Sequence, residues 1–308
     1  MEVRQARLAE THEYFHRQLD DTTAFGGLLG TVAAVADAIP DSRWQLVRRQ
    51  LQEMSDLVHE AFAVGMSLLT TQRRLEPIED YPAYDVHVRT AARLLGPDVH
   101  PWVALAGLRA AAMASMQSSA LGVARTQGLG AFRSQDLPIM ERPNYRLAAL
   151  LKVGYATLVA AEQAKAAESH ADEGWWQPAG AVLLSPDSMD GEASEAFANL
   201  IERLLLAAGD MLGRAGGSFV HWDAHQDDLR AVLAQAQELP PEGLTRIGAL
   251  VESPGAELLH GGPLDGQILE LASAPTRAVL LPYGTAPATS GEGNRRRNWS
   301  GALKCPAL

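Results

Sequence analysis

The sequence predicts an α+β protein: an all-helical N-terminal domain (residues 1–170), a smaller α/β domain (171–284) and a flexible tail (285–308). Three observations predict it. Apolar residues recur at helical spacing up to about Ala167, whereas short β-type runs alternate with helical ones after Asp172-Glu173-Gly174. The charge changes at the same place. Residues 1–170 carry 19 acidic and 17 basic side chains, and residues 171–308 carry 18 and 9, so −9 of the net −11 belongs to the second part.

The helical half reads as six helices, at about 3–20, 25–38, 42–71, 81–95, 100–126 and 143–169. Trp44, Val47, Leu51, Val58 and Phe62 mark one stripe, and Trp102 to Leu121 is rich in alanine, methionine and leucine with only Gly107 as a breaker. Pro40-Asp41-Ser42, Glu76-Pro77, Gly96-Pro97 and Leu137-Pro138 punctuate these runs. In the second half, Gly180–Ser185 reads as a buried strand, 192–213 as a helix, Ser218–Trp222 as strand-like and about 227–238 as a helix. Strand-like runs follow at 245–251, 267–272 and 277–283, which together suggest a small α/β layer. The turn-rich stretch from Gly284 is expected to be disordered.

Composition narrows the function classes. A net charge of −11 argues against a nucleic-acid partner, which calls for a basic face. A lone cysteine, Cys305, excludes a disulfide framework. No stretch has the roughly 18 uncharged apolar residues of a membrane helix, and MEVRQARLAETHEYFHRQ is too polar for a signal peptide, so a cytoplasmic protein without a membrane partner is expected.

One motif carries chemistry. His12-Glu13-Tyr14-Phe15-His16 satisfies H-E-x-x-H. Residues i and i+4 share a helix face, so both imidazoles can reach one zinc ion while the intervening glutamate addresses its water as general base. Leu8, Phe15 and Leu19 form the apolar stripe of this helix, and His12 and His16 lie at its margin, where a core edge meets a cleft.

The HEYFH helix, followed by Leu19-Asp20-Asp21-Thr22-Thr23 and a glycine pair, resembles the active-site helix of zincin metallopeptidases. Val58-His59-Glu60-Ala61-Phe62-Ala63 is similar to the segment that supplies the glutamate ligand in the gluzincin branch. Over residues 8–66 the resemblance implies His12 and His16 as metal ligands, Glu13 as base, Glu60 as third ligand, zinc as cofactor and a peptide or protein as substrate. Helical phase leaves the third ligand open. Either the second helix is buried on both sides past residue 57, or His59 is the better ligand. Zincins place a β-sheet before the metal helix and align substrate on its edge strand. Only eleven residues precede His12, so that sheet is absent, supplied by the C-terminal domain or lost ahead of Met1.

Other candidates read as structure. Asp223, His225 and Asp227 resemble one metal segment of manganese ureohydrolases, but no later D-x-D follows, and a loop capping a helix at 229–238 accounts for them. Trp175-Trp176 reads as a packing anchor, and Met113 with Met116 as core. The sequence therefore points to a zinc-dependent hydrolase of peptidase type. The alternative is a non-enzymatic helical scaffold that binds a protein partner through its acidic C-terminal domain.

Overall fold

The computed structural model describes residues 2–39, 41–72, 75–76, 81–173, 176, 191–219 and 222–239. Its helices are α1 (Glu2–Asp21), α2 (Ala24–Ala38), α3 (Ser42–Gln72), α4 (Asp85–Leu95), α5 (Pro101–Met116), α6 (Ala120–Gln127), α7 (Pro143–Lys152), α8 (Tyr155–His170), α9 (Gly191–Arg214) and α10 (Trp222–Gln237). A single 3₁₀ turn, Pro82–Tyr84, leads into α4.

Two helices have no continuous polar face, and a helix that is apolar all round must be enclosed. They are α2 and α5, buried over residues 24–36 and 102–116. The other helices wrap them: α3 touches both, α1, α6 and α10 cover α2, and α9, α7, α4 and α8 cover α5. Burial of side chains such as Phe25, Leu28, Leu108 and Met113 contributes about 1.5–3 kcal/mol each.

The α+β expectation is overturned. The regular structure of the described residues is all helix, with no strand. At the one described position of an expected strand, Ser218 and Phe219 are irregular and Trp222 already opens α10, which begins before the expected 227. The apolar pattern there serves packing rather than a sheet. The Phe219 ring lies where a side chain on Gly209 would be, 2.5 Å from an ideal Cβ. The expected strands at 180–185, 245–251, 267–272 and 277–283 lie outside the described residues, as does the tail at 285–308. Helices α9 and α10 contribute Phe197, Leu204, Leu229 and Val232 to the same buried cluster as the N-terminal helices.

Two expected long helices are broken. The first stops at Gln117, where the fully buried Arg146 of α7 donates through Nη2 to the carbonyls of Ala114 (2.9 Å) and Gln117 (3.0 Å). Its Nη1 donates to Met140 O (3.1 Å) and Ser218 O (2.6 Å). Glu141 completes this junction by accepting from Ser119 N (2.7 Å) and Ser218 N (2.9 Å). The second break is Gly154, whose φ of 83° is a left-handed conformation that separates α7 from α8. Beyond α8, Trp176 stacks on His100 at 4.1 Å between ring centroids.

The α1–α2 corner fixes the end of the histidine-bearing helix. Thr23 caps α2 by accepting from Gly26 N, while its hydroxyl donates to Leu19 O at 2.7 Å. Gln117 brackets the corner, accepting from Ala24 N at 3.1 Å. The turn is so tight that an added Cβ on Gly26 would sit 2.3 Å from Asp20 O.

Candidate metal centre

Helix α1 packs along α3, and Phe15 meets Phe62 edge to face at 5.8 Å between centroids. One turn of α1 brings His12 and His16 onto the face that meets α3. From Val58 to Leu69 every residue of α3 except Glu60 is buried. Both sides of α3 are therefore covered past residue 57, and this settles the helical-phase question. The Val58/Phe62 stripe enters the core while Glu60 reaches toward α1.

There three side chains converge. Ligand atoms of His12, His16 and Glu60 lie within 4.8 Å of one another, the only such grouping among the described residues. The Nε2 atoms of His12 and His16 are 2.9 Å apart. Glu60 Oε2 is 3.6 Å from His12 Nε2, and Glu60 Oε1 is 3.6 Å from His16 Nε2. Ligands about 2.0–2.2 Å from a tetrahedral ion stand roughly 3.3–3.6 Å apart, which matches the histidine–carboxylate separations. The shorter imidazole pair is at hydrogen-bond distance.

The electrostatics suit a cation. Burial, with a smaller contribution from His87, pushes His12 down to about 4. Burial also lowers His16 well below the ordinary histidine value, helped by His59, His12 and His87. Both imidazoles are thus neutral near pH 7 and keep lone pairs to donate. Burial raises Glu60 to about 6, opposed by His59 and reinforced by Glu13 and Asp56. Its Oε2 is buried with no hydrogen-bond partner among the described residues. A desolvated carboxylate with an unbonded oxygen beside two neutral imidazoles is a setting that a divalent ion would satisfy. The donor set of two imidazoles and one carboxylate fits a metal that keeps a position open to water.

His59 stands elsewhere. Its Nδ1 is 3.4 Å from His16 Nδ1, on the far side of that ring from Glu60, and its Nε2 is 3.2 Å from Asp20 Oδ1. It backs His16 rather than joining the triad. Burial works against a proton on His59, but Asp20, Glu60 and Asp56 together outweigh it and raise the pKa. Glu13 is half-buried on the turn between His12 and His16 and within electrostatic reach of Glu60.

Three neighbours carried no sequence signal of their own. Tyr84 sets its ring edge-on to His12 at 5.5 Å, and His87 lies 6.2 Å beyond Tyr84. They enter from α4 and the turn before it, a segment without a motif. Asp20 was visible only as part of the stretch after HEYFH.

The ureohydrolase-like segment forms no centre among the described side chains. His225 is buried in α10, Asp227 pairs with Arg230 at 2.8 Å, and Asp228 pairs with Arg125 of α6 at 2.8 Å. Met113 and Met116 are core residues. No described helix is long and apolar enough to cross a membrane. No family model, curated protein or solved structure matches the chain.

Proposed function

We propose that the chain is a metal-dependent hydrolase, with zinc held by His12 Nε2, His16 Nε2 and a carboxylate oxygen of Glu60. The observation that carries this reading is the convergence of these three groups, two of them from an H-E-x-x-H helix. A zinc ion there would supply a Lewis acid that acidifies a water and polarises a scissile carbonyl. Glu13, one residue on from His12, takes the water proton at its carboxylate and returns it to the leaving group. Burial of His12 and His16 keeps both rings neutral and excludes bulk water from their side of the site. The Glu60 side chain, 27% exposed, marks the open side.

Zincins align a peptide substrate on an edge strand, and no strand exists among the described residues. The reading therefore covers hydrolysis of amides and esters in general, with peptides as one arm of the test.

Protein purified from zinc-containing medium is assayed for bound metal and for hydrolysis of a panel of peptide, amide and ester substrates. Near-stoichiometric zinc is expected, lost in His16→Ala and retained without activity in Glu13→Gln. A metal-free, inactive wild type would falsify the proposal and favour the helical scaffold. Iron in place of zinc would redirect the chemistry toward oxygen, since two histidines and a carboxylate also bind ferrous ion.

A further inference from the structure

Asp20, His59, His16 and His12 stand in a row, each within reach of the next. The separations are 3.2 Å from Asp20 Oδ1 to His59 Nε2, 3.4 Å from His59 Nδ1 to His16 Nδ1, and 2.9 Å from His16 Nε2 to His12 Nε2. All four residues are at most 8% exposed, so water does not serve these atoms freely. Asp20 Oδ1 and His59 Nε2 are both buried without a hydrogen-bond partner among the described residues, and each is the polar atom facing the other. Above the raised pKa of His59 all three imidazoles are neutral, each with one donor and one acceptor nitrogen, so the row can be satisfied only if every proton points the same way.

We propose that Asp20 and His59 are positioning residues that fix the tautomer of His16 and so reserve its Nε2 lone pair for the metal. This rests on the metal reading above. The Asp20 carboxylate only accepts, which places the His59 proton on Nε2. His59 Nδ1 then accepts from His16 Nδ1–H, and His16 Nε2 is left bare. In the metal-free chain that nitrogen accepts from His12 Nε2–H. When a metal binds, His12 moves its proton to Nδ1 and offers Nε2 alongside that of His16, while Asp20 and His59 stay as they were. Outer partners of this kind orient a ligating imidazole and raise its basicity.

The test is the two-bond ¹H–¹⁵N spectrum of the full chain labelled at histidine, with and without zinc, together with zinc affinity by chelator competition. At a pH where His59 is neutral, the metal-free wild type is expected to show His59 protonated on Nε2 and His16 on Nδ1. Asp20→Ala should show mixed tautomers at both rings and bind zinc roughly 10- to 100-fold more weakly while still filling at saturation. Asp20→Asn, whose amide oxygen still accepts, should recover most of that loss. His59 carrying its single proton on Nδ1, His16 carrying its proton on Nε2, or unchanged affinity in a folded Asp20→Ala would each overturn the assignment. If Asp20→Ala does not fold, the wild-type spectrum decides by itself. A wild type that binds no zinc overturns the metal reading instead, and its tautomers still report whether the proton row exists.

Discussion

His59 lies behind His16, with their Nδ1 atoms 3.4 Å apart, whereas Glu60 faces the Nε2 atoms of both His12 and His16 at 3.6 Å. Two adjacent residues of α3 thus address opposite sides of one imidazole. The helix can do this because α1 packs against it so closely that His16 inserts between them. In the proposed metal site Glu60 would be a ligand and His59 the group that orients one.

That division separates the two substitutions. Glu60→Gln replaces a charged oxygen donor with a neutral amide and should lose most bound zinc on dialysis against a weak chelator. His59→Gln should keep one zinc per chain at saturation with weakened affinity. Metal content by plasma mass spectrometry reads both. The reverse order would make His59 the ligand.

The α1–α2 corner should tolerate no side chain at residue 26. A Cβ there would stand 2.3 Å from Asp20 O and 2.5 Å from Asp20 Cα, contacts that backbone cannot relieve cheaply. Gly26→Ala should cost about 1–3 kcal/mol in denaturant unfolding and also shift the His59 resonances, because Asp20 is displaced. Gly213, in the last turns of α9 with nothing within 4 Å of its ideal Cβ, is the control. Gly213→Ala should be neutral or stabilising by up to about 1 kcal/mol.

Arg146 is the cation of the core junction. It has four carbonyl acceptors, from Met140, Ser218, Ala114 and Gln117, with Glu141 at 3.7 Å. Burial lowers it to about 10, still cationic at neutral pH. Arg146→Met strips those carbonyls of their donor and leaves Glu141 without its charge partner. Breaking a buried pair in this way typically costs about 3–5 kcal/mol. Arg146→Lys should recover only part, since a single ammonium cannot fork to four acceptors. Urea unfolding followed by circular dichroism measures both.

These residues also show what was legible in the chain. The histidine pair was, because i,i+4 spacing is a local property of a helix. Glu60 was legible only by resemblance, since its own helical phase argued against it until both sides of α3 proved to be covered. His87 and Tyr84 were not, because they reach the site from a helix whose approach depends on tertiary packing. The same holds for the breaks. Nothing near Gln117 forbids a continued helix; Arg146, 29 residues on, captures the carbonyls that would have continued it. The strand expected at Ser218–Trp222 rested on an apolar alternation that Phe219 spends on Gly209 instead. Short apolar runs carry little to distinguish a strand from a packed connection.

Acid should weaken the α8–α9 contact through Glu162. Glu162 is 5% exposed and accepts from Lys165 Nζ at 2.6 Å and Arg203 Nε at 3.0 Å. Burial alone would raise its pKa, but the hydrogen bonds and charges of Lys165 and Arg203 outweigh it and hold the carboxyl below its usual 4.5. A carboxyl whose folded pKa is depressed binds protons more readily in the unfolded chain. Its stabilisation is complete above the unfolded value and is lost as pH falls through the folded one. Melting temperature followed from pH 7 into acid should fall below about pH 4.5, and Glu162→Gln should start lower and show a shallower acid limb. Both cations are mostly solvent-facing, at 68% for Lys165 and 51% for Arg203, so salt should shrink the difference between wild type and variant. Equal acid limbs at low ionic strength would remove Glu162 from the account of α8–α9 packing.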